Sequence, residues 1–63
     1  MGSPSAELLT ERQLEVANLA VRGLSDREIA ERLGLSPNAV HTHLGNIFAR
    51  LGISSRDQLA DHL

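Results

Sequence analysis

The sequence predicts an all-α domain of four short helices. Three features predict it: a capping sequence precedes each helical segment, apolar residues recur at helical spacing within the segments, and only a few residues separate neighbouring segments. A chain of 63 residues makes one small domain that buries only roughly 60% of its unfolded surface. We assign the domain to residues 8–63 and interpret residues 1–7, which begin Met1-Gly2-Ser3-Pro4, as the remnant of a tag or linker.

The first predicted helix begins after Thr10. Thr10 and Gln13 have the spacing of a capping box, in which the cap hydroxyl accepts a hydrogen bond from a backbone N–H of the first turn and the later side chain accepts one from the cap's own N–H. Leu9 and Leu14 flank this cap at the spacing of a hydrophobic staple. We expect Gly23 to end the helix. The apolar stripe consists of Val16, Leu19, Ala20 and Leu24.

A second capping box, Ser25 with Glu28, starts the next helix at Asp26. Gly34 is placed to adopt the left-handed conformation that ends a helix, and Leu35 is expected to fill the turn that follows. The apolar stripe consists of Ile29, Ala30 and Leu33.

The third helix is predicted from Pro37 to about Leu51. Ser36 caps it, Pro37 takes the first position, where its missing N–H costs nothing, and Gly52 closes it. Its buried stripe is predicted to be Val40, Leu44, Ile47 and Leu51. Only residues 34–37 connect it to the second helix, too few for an antiparallel pair, which is typical of a helix-turn-helix motif.

A short last helix is predicted after Ser55, which forms a further cap with Gln58. Its apolar residues are Leu59, Ala60 and Leu63. Two interpretations remain open: the helix caps the core, or it presents Leu59 or Leu63 to a second subunit, as in dimeric helix-turn-helix proteins that bind two half-sites.

The third helix carries Asn38, His41, Thr42 and Gly45 opposite its apolar stripe. Three of these side chains are short and form hydrogen bonds, and the glycine permits close approach of another surface, so the face suits the major groove of DNA. The alternative is an ordinary solvated helix face, and the preceding turn favours the groove.

Composition narrows the function classes. The net charge of −2 argues against non-specific nucleic-acid binding, although residues 32–56 hold three arginines and no acid. The chain has no cysteine, no apolar run of membrane-spanning length and no signal peptide, so we expect a cytoplasmic protein.

His41 and His43 lie on different sides of their helix, so this spacing does not let them bind one metal ion together. We therefore predict no metal site, no cofactor and no enzymatic activity.

One family pattern is matched in order and spacing. The matching residues are Leu9, Thr10, Arg12, Glu15, Val16, Gly23, Ser25, Glu28, Ile29, Ala30, Leu33, Ser36, Val40, His43, Ile47, Leu51, Gly52 and Arg56. Over residues 8–63 the chain resembles the LuxR-type (NarL- or FixJ-like) helix-turn-helix DNA-binding domain of bacterial transcription regulators. The resemblance implies that the third helix enters the major groove and that the fourth supports dimerisation on DNA.

The resemblance also assigns roles to individual positions. The positions that read bases correspond to Asn38, His41 and Thr42. The positions near the phosphate backbone correspond to Ser25, Asp26, Ala39, His43, Asn46 and Arg50. To these we add Ser36, because backbone N–H groups at the start of a helix, here over residues 36–38, bind phosphate.

The chain departs from the family pattern at its proposed DNA surface. Ala39 and His41 stand where Thr and Lys are usual, Asp26 stands where Asn is frequent, and Gly45 within a helix costs about 1 kcal/mol relative to Ala. These changes predict weaker, more salt-sensitive binding or a changed base preference. Two alternatives stay open: a degenerate domain that contacts proteins such as RNA polymerase, and the related fourth region of a sigma factor.

Overall fold

The computed structural model describes residues 8–63. In this part of the chain there are three α-helices, α1 (Glu11–Val21), α2 (Asp26–Leu33) and α3 (Pro37–Leu51), followed by a 3₁₀ helix (Arg56–His62). The predicted all-α fold of four helices is confirmed. The interpretation of residues 1–7 as a tag or linker lies outside the described residues.

Two of the three predicted capping boxes are formed. At the start of α1 the Gln13 N–H donates to Thr10 Oγ1 (3.1 Å) and the Thr10 N–H donates to Gln13 Oε1 (2.9 Å). At the start of α2 the Glu28 N–H donates to Ser25 Oγ (3.2 Å) and the Ser25 N–H donates to Glu28 Oε1 (2.9 Å). These bonds satisfy N–H groups that have no partner within the helix, so each helix begins at the predicted residue.

The turn between α2 and α3 is built as the sequence predicts. Gly34 has φ 68° and ψ 34°, in the left-handed region, and the Leu35 N–H donates to the Ala30 carbonyl at 2.9 Å. Leu35 packs against the core. Ser36 then caps α3 by accepting from the Ala39 N–H at 3.1 Å. The turn fixes the start of α3 beside α2 without any intervening loop.

The core is aliphatic and receives side chains from every helix. Its fully buried members of largest volume are Ile29, Ile47, Leu59, Val16 and Val40. Around them lie the partly buried Leu14, Leu19, Leu24, Leu33, Leu35, Phe48, Leu51 and Ile53. The predicted α3 stripe is confirmed, with Val40, Leu44 and Ile47 buried and Leu51 at the core's edge. The opposite side of α3 therefore faces outward.

The last helix differs from the prediction in its cap. Ser55 makes no capping bond through its side chain; instead the N–H and the hydroxyl of Ser54 donate to Gln58 Oε1 at 2.8 and 3.3 Å. The segment is a 3₁₀ helix, in which each N–H bonds to the carbonyl three residues earlier. The first such bond runs from the Gln58 N–H to the Ser55 carbonyl (3.2 Å). The capping box expected at Ser55 is therefore not formed, and Gln58 bonds to Ser54 instead.

Leu59 shows that this helix covers the core, and only Leu63 is left to contact a second subunit. Its side chain is fully buried within the core of its own domain, so the prediction that Leu59 contacts a second subunit was wrong. Burial of a leucine contributes roughly 1.5–3 kcal/mol, which the small core needs. Leu63 is 38% exposed, and its dimer role stays a prediction.

Candidate nucleic-acid interface

The outward side of α3 is polar and accessible. The predicted base-reading residues Asn38, His41 and Thr42 are all exposed, as are Gly45, Asn46 and Arg50. They are exposed because the buried stripe recurs every three to four residues and turns the remaining positions to solvent. A Cβ built on Gly45 meets no atom within 4 Å, so this point of the surface is open to an approaching molecule.

Two of the proposed backbone contacts, Ala39 and His43, are half-buried. They lie at the borders of the exposed face, next to the buried Val40 and Leu44. The two histidines of α3 differ accordingly: the His41 side chain is 84% exposed, whereas His43 is partly covered. The prediction that they lie on different sides of the helix is confirmed.

The first turn of α3 differs from those of α1 and α2. Ser36 Oγ accepts from the Ala39 N–H, but Ala39 has no side-chain acceptor to return to the Ser36 N–H. Pro37 has no N–H at all. The first backbone N–H groups of a helix have no partner within it, so those of Ser36 and Asn38 can serve a negative charge, which the helix dipole also favours.

Asp26 does not lie free at the proposed phosphate side. Its Oδ1 accepts from Arg56 Nη2 in an ion pair, and Arg56 Nη1 donates to the Leu24 carbonyl at 2.9 Å. The side chains of Asp26 and Arg56 are 32% and 36% exposed. Arg56 therefore neutralises the carboxylate that an approaching phosphate would meet, and it joins the 3₁₀ helix to the start of α2.

The second carboxylate oxygen of Asp26 faces the third helix. Asp26 Oδ2 lies 3.9 Å from Nδ1 of His41, which is within ion-pair range but too long for a direct hydrogen bond. Two of the residues that depart from the family pattern are therefore neighbours in space. The contact also places the first turn of α2 beside the second turn of α3.

The electrostatics of the surface follow from these pairings. Of the three arginines in the acid-free stretch 32–56, Arg56 is engaged by Asp26, whereas Arg50 is exposed in the last turn of α3. The positive charge available near α3 is smaller than the sequence count suggests.

At the start of α2, the hydrogen bond from the Ser25 backbone N–H lowers the pKa of Glu28, and the Ser25 hydroxyl and Arg32 lower it further.

Sequence reasoning missed the role of Arg56. Its match to the family pattern was visible, but its partner Asp26 lies 30 residues away, and no local spacing links the two.

Among residues 8–63 the structure shows no group of three or more His, Cys, Asp or Glu that could hold a metal ion. Within the same residues no helix is long and apolar enough to cross a membrane.

Comparison with known proteins matches residues 7–63 to the family described as bacterial regulatory proteins, luxR family. Three relatives illustrate the similarity. A Mycobacterium tuberculosis protein described as an HTH-type transcriptional regulator is 47% identical over 53 residues, which are 84% of this chain and 6% of the relative. The transcriptional regulatory protein UhpA of Escherichia coli is 40% identical over 60 residues, 95% of this chain and 31% of UhpA. The CsgBAC operon transcriptional regulatory protein of Escherichia coli is 41% identical over 56 residues, 89% of this chain and 26% of that protein.

The chain spans about a third or less of the length of these relatives. The shared part coincides with the four helices and with the exposed face of α3. Both the fold and the spacing of the capped turn agree with the family match, which covers nearly the whole chain. The chain belongs to the luxR family of bacterial regulatory proteins and is a DNA-binding regulatory domain with a helix-turn-helix motif.

Proposed function

We propose that this domain binds double-stranded DNA sequence-specifically, with α3 lying in the major groove, as the effector part of a bacterial transcriptional regulator. The exposed face of α3 carries the proposal, because its side chains at Asn38, His41 and Thr42 form hydrogen bonds and are accessible. None of them is a large apolar anchor of the kind that dominates protein–protein interfaces. The family match supports a regulator rather than an enzyme.

The roles of the contacting residues divide by position. Asn38, His41 and Thr42 read base edges, whereas Arg50, at the far end of α3, contacts the phosphate backbone. The N–H groups of Ser36 and Asn38 hold a second phosphate at the start of α3. The remaining proposed backbone positions border this face: Ser25, Asp26, Ala39, His43 and Asn46.

The pairing of Asp26 with Arg56 refines the role of Asp26. A free carboxylate at the start of α2 would repel phosphate, but Arg56 offsets its charge. Asp26 therefore lies near the backbone as a neutralised pair and not as a phosphate ligand. Because Arg56 is engaged, Arg50 is the principal cation of the interface.

An amide-resolved NMR titration with a generic DNA duplex, at low and at physiological salt, tests the proposal. We expect shifts concentrated at residues 25–26 and 36–50 that fade as salt rises, since phosphate contacts release counterions. Selection of a preferred duplex from a random pool then tests specificity. No shift at low salt would overturn the proposal and would favour a protein-interaction role, for which RNA polymerase is the first partner to test.

Two substitutions separate base reading from backbone binding. Arg50→Ala is expected to weaken binding to all duplexes alike and to reduce the slope of log affinity against log salt concentration by about one unit. His41→Ala is expected to change the sequence preference instead. Arg12→Ala removes an exposed arginine of α1 and serves as the control. Equal losses on every duplex for both interface variants would contradict this division of roles.

Dimerisation on DNA through the last helix forms part of the proposal. Leu63 and Val21 are 38% and 39% exposed, and a shallow groove between α1 and the 3₁₀ helix is lined by Ala20, Val21, Gly23, Arg56, Asp57 and Ala60. A second copy bound to the adjacent half-site would cover Leu63. Cooperative binding to a two-site duplex, reduced by Leu63→Ala, is the expected outcome.

A further inference from the structure

The contact between Asp26 and His41 gives the proposed DNA surface a specific chemical property. Of the two side chains in this contact, His41 is 84% exposed and Asp26 is 32% exposed. The Nδ1 atom of His41 is the ring nitrogen that faces Asp26, at 3.9 Å. Nε2 is the other nitrogen of a ring that is 84% exposed, so it is accessible to an approaching DNA.

The carboxylate that faces His41 is held in place from behind. Arg56 donates to Asp26 Oδ1 through Nη2 and to the Leu24 carbonyl through Nη1. The planar guanidinium therefore ties the carboxylate to the backbone of the turn before α2. Asp26 is also the first residue of α2, where the helix dipole favours a negative charge. A fixed anion thus lies beside one particular nitrogen of His41.

A fixed anion selects between the two neutral forms of an imidazole. At 3.9 Å the interaction is electrostatic and not a direct hydrogen bond; the negative charge favours the form that carries its hydrogen on the nearer nitrogen, Nδ1. The charged groups that the structure places against His41 are Asp26 from α2 and, behind it, Arg56 from the 3₁₀ helix. The other histidine of α3, His43, lies on a different side of the helix.

We propose that Asp26 is a positioning residue whose charge favours the Nδ1–H form of neutral His41, so that Nε2 meets the DNA as a hydrogen-bond acceptor. This inference rests on the proposed function. An accepting Nε2 pairs with the exocyclic amino group of cytosine or adenine in the major groove. When the imidazole gains a proton, Nε2 becomes a donor and pairs with O6 or N7 of guanine. One base pair of the binding site is thus read differently at low and at high pH.

The first test needs no DNA. Long-range ¹H–¹⁵N NMR of the imidazoles of the free domain, recorded above pH 8, distinguishes the two neutral forms. We expect the Nδ1–H form to predominate at His41 and to lose its majority in Asp26→Asn, which keeps the shape of the side chain and an acceptor for Arg56. Glu31→Gln removes one exposed carboxylate of the same helix and is expected to leave His41 unchanged. His43 provides an internal reference.

The second test measures base preference. Duplexes that differ at single base pairs are titrated at pH 6 and pH 8 with the wild-type domain, Asp26→Asn and His41→Ala. We expect a preference of about tenfold at one position, equivalent to roughly 1.4 kcal/mol, that changes with pH in the wild type. Asp26→Asn should diminish it and His41→Ala should abolish it.

The two tests fail independently. An Nε2–H majority at His41 in the wild-type domain, or an unchanged ratio of forms in Asp26→Asn, overturns the positioning role whether or not DNA binds. DNA binding with the same base preference at both pH values overturns the reading role while the proposed function stands. A loss of all DNA binding by the wild type overturns the proposed function, and the tautomer measurement still decides the positioning role.

Discussion

Arg56 and Asp26, 30 residues apart in sequence, form an ion pair that joins the 3₁₀ helix to the first turn of α2. The same guanidinium donates to the Leu24 carbonyl at 2.9 Å, so it binds both the backbone and the side chain at the start of the helix-turn-helix. The short last helix thereby contributes to the surface that α2 and α3 present, although it lies outside the motif itself.

Arg56→Ala is expected to lower the free energy of unfolding by about 1–2 kcal/mol, because it removes a charged hydrogen bond to a backbone carbonyl and the partner of Asp26. Partial exposure keeps the loss below that of a buried pair. Urea unfolding followed by circular dichroism measures it. The control Arg12→Ala removes the same charge from an exposed site on α1 and should change stability little. Equal effects of the two substitutions would refute a structural role for Arg56.

Gly45→Ala is expected to stabilise the domain and to weaken its binding to DNA. An added Cβ meets no atom within 4 Å and alanine is the better helix former by about 1 kcal/mol, which raises Tm by roughly 4–8 °C in a domain of this size. The methyl group nevertheless occupies the surface where DNA would approach. Thermal unfolding and DNA titration of the same variant measure the two effects.

The matched control for Gly45→Ala is Gly34→Ala. Gly34 has φ 68°, a conformation that costs a residue with a Cβ about 1–2 kcal/mol, so this substitution should lower Tm. If Gly45→Ala lowers Tm as well, the space around the added methyl group is not free as described. If it raises Tm and leaves DNA affinity intact, the DNA does not approach α3 at Gly45.

The capping box at the start of α2 predicts a pH dependence of stability. The backbone hydrogen bond from Ser25 lowers the pKa of Glu28 in the folded state. A lowered pKa means that the stabilisation is present above the unfolded-state pKa of the glutamate and is lost as pH falls through the folded-state pKa. In Glu28→Gln the acceptor remains and the charge is gone, so this pH-dependent part should disappear.

Urea unfolding of both proteins from neutral to acidic pH tests this expectation. The difference in unfolding free energy between wild type and Glu28→Gln should shrink as the pH is lowered. Glu31→Gln, in the same helix but outside the cap, serves as the control. A constant difference across the pH range would mean that the charge of Glu28 does not take part in the cap.

Leu59→Ala is expected to destabilise the domain by about 2–5 kcal/mol, since it removes a fully buried side chain and leaves a cavity that a core usually closes only in part. A 63-residue chain with marginal stability would be largely unfolded by such a loss. Leu63→Ala, at a side chain 38% exposed, should leave stability nearly unchanged. Comparison of the two by circular dichroism checks the assignment, and similar stabilities would contradict the burial of Leu59.

Local chemistry made most of the fold predictable. The two capping boxes that form, Thr10 with Gln13 and Ser25 with Glu28, join residues only three apart, so local sequence was enough to predict them. The helical period likewise determines which side of α3 is buried and therefore that Asn38, His41 and Thr42 are exposed. The wrong cap at Ser55 is itself a local error, because Ser54 offers an equivalent serine one residue earlier and Gln58 accepts from that residue instead.

The sequence by itself determined the helices, the caps of α1, α2 and α3, the turn between α2 and α3 and the polar face of α3, because these depend on residues within a few positions of one another. Only the tertiary structure decided that Leu59 belongs to the core, that Arg56 engages Asp26 and that Asp26 lies beside His41. Those contacts join elements that are distant along the chain, and their geometry depends on how the helices pack around a shared core, which no local spacing encodes.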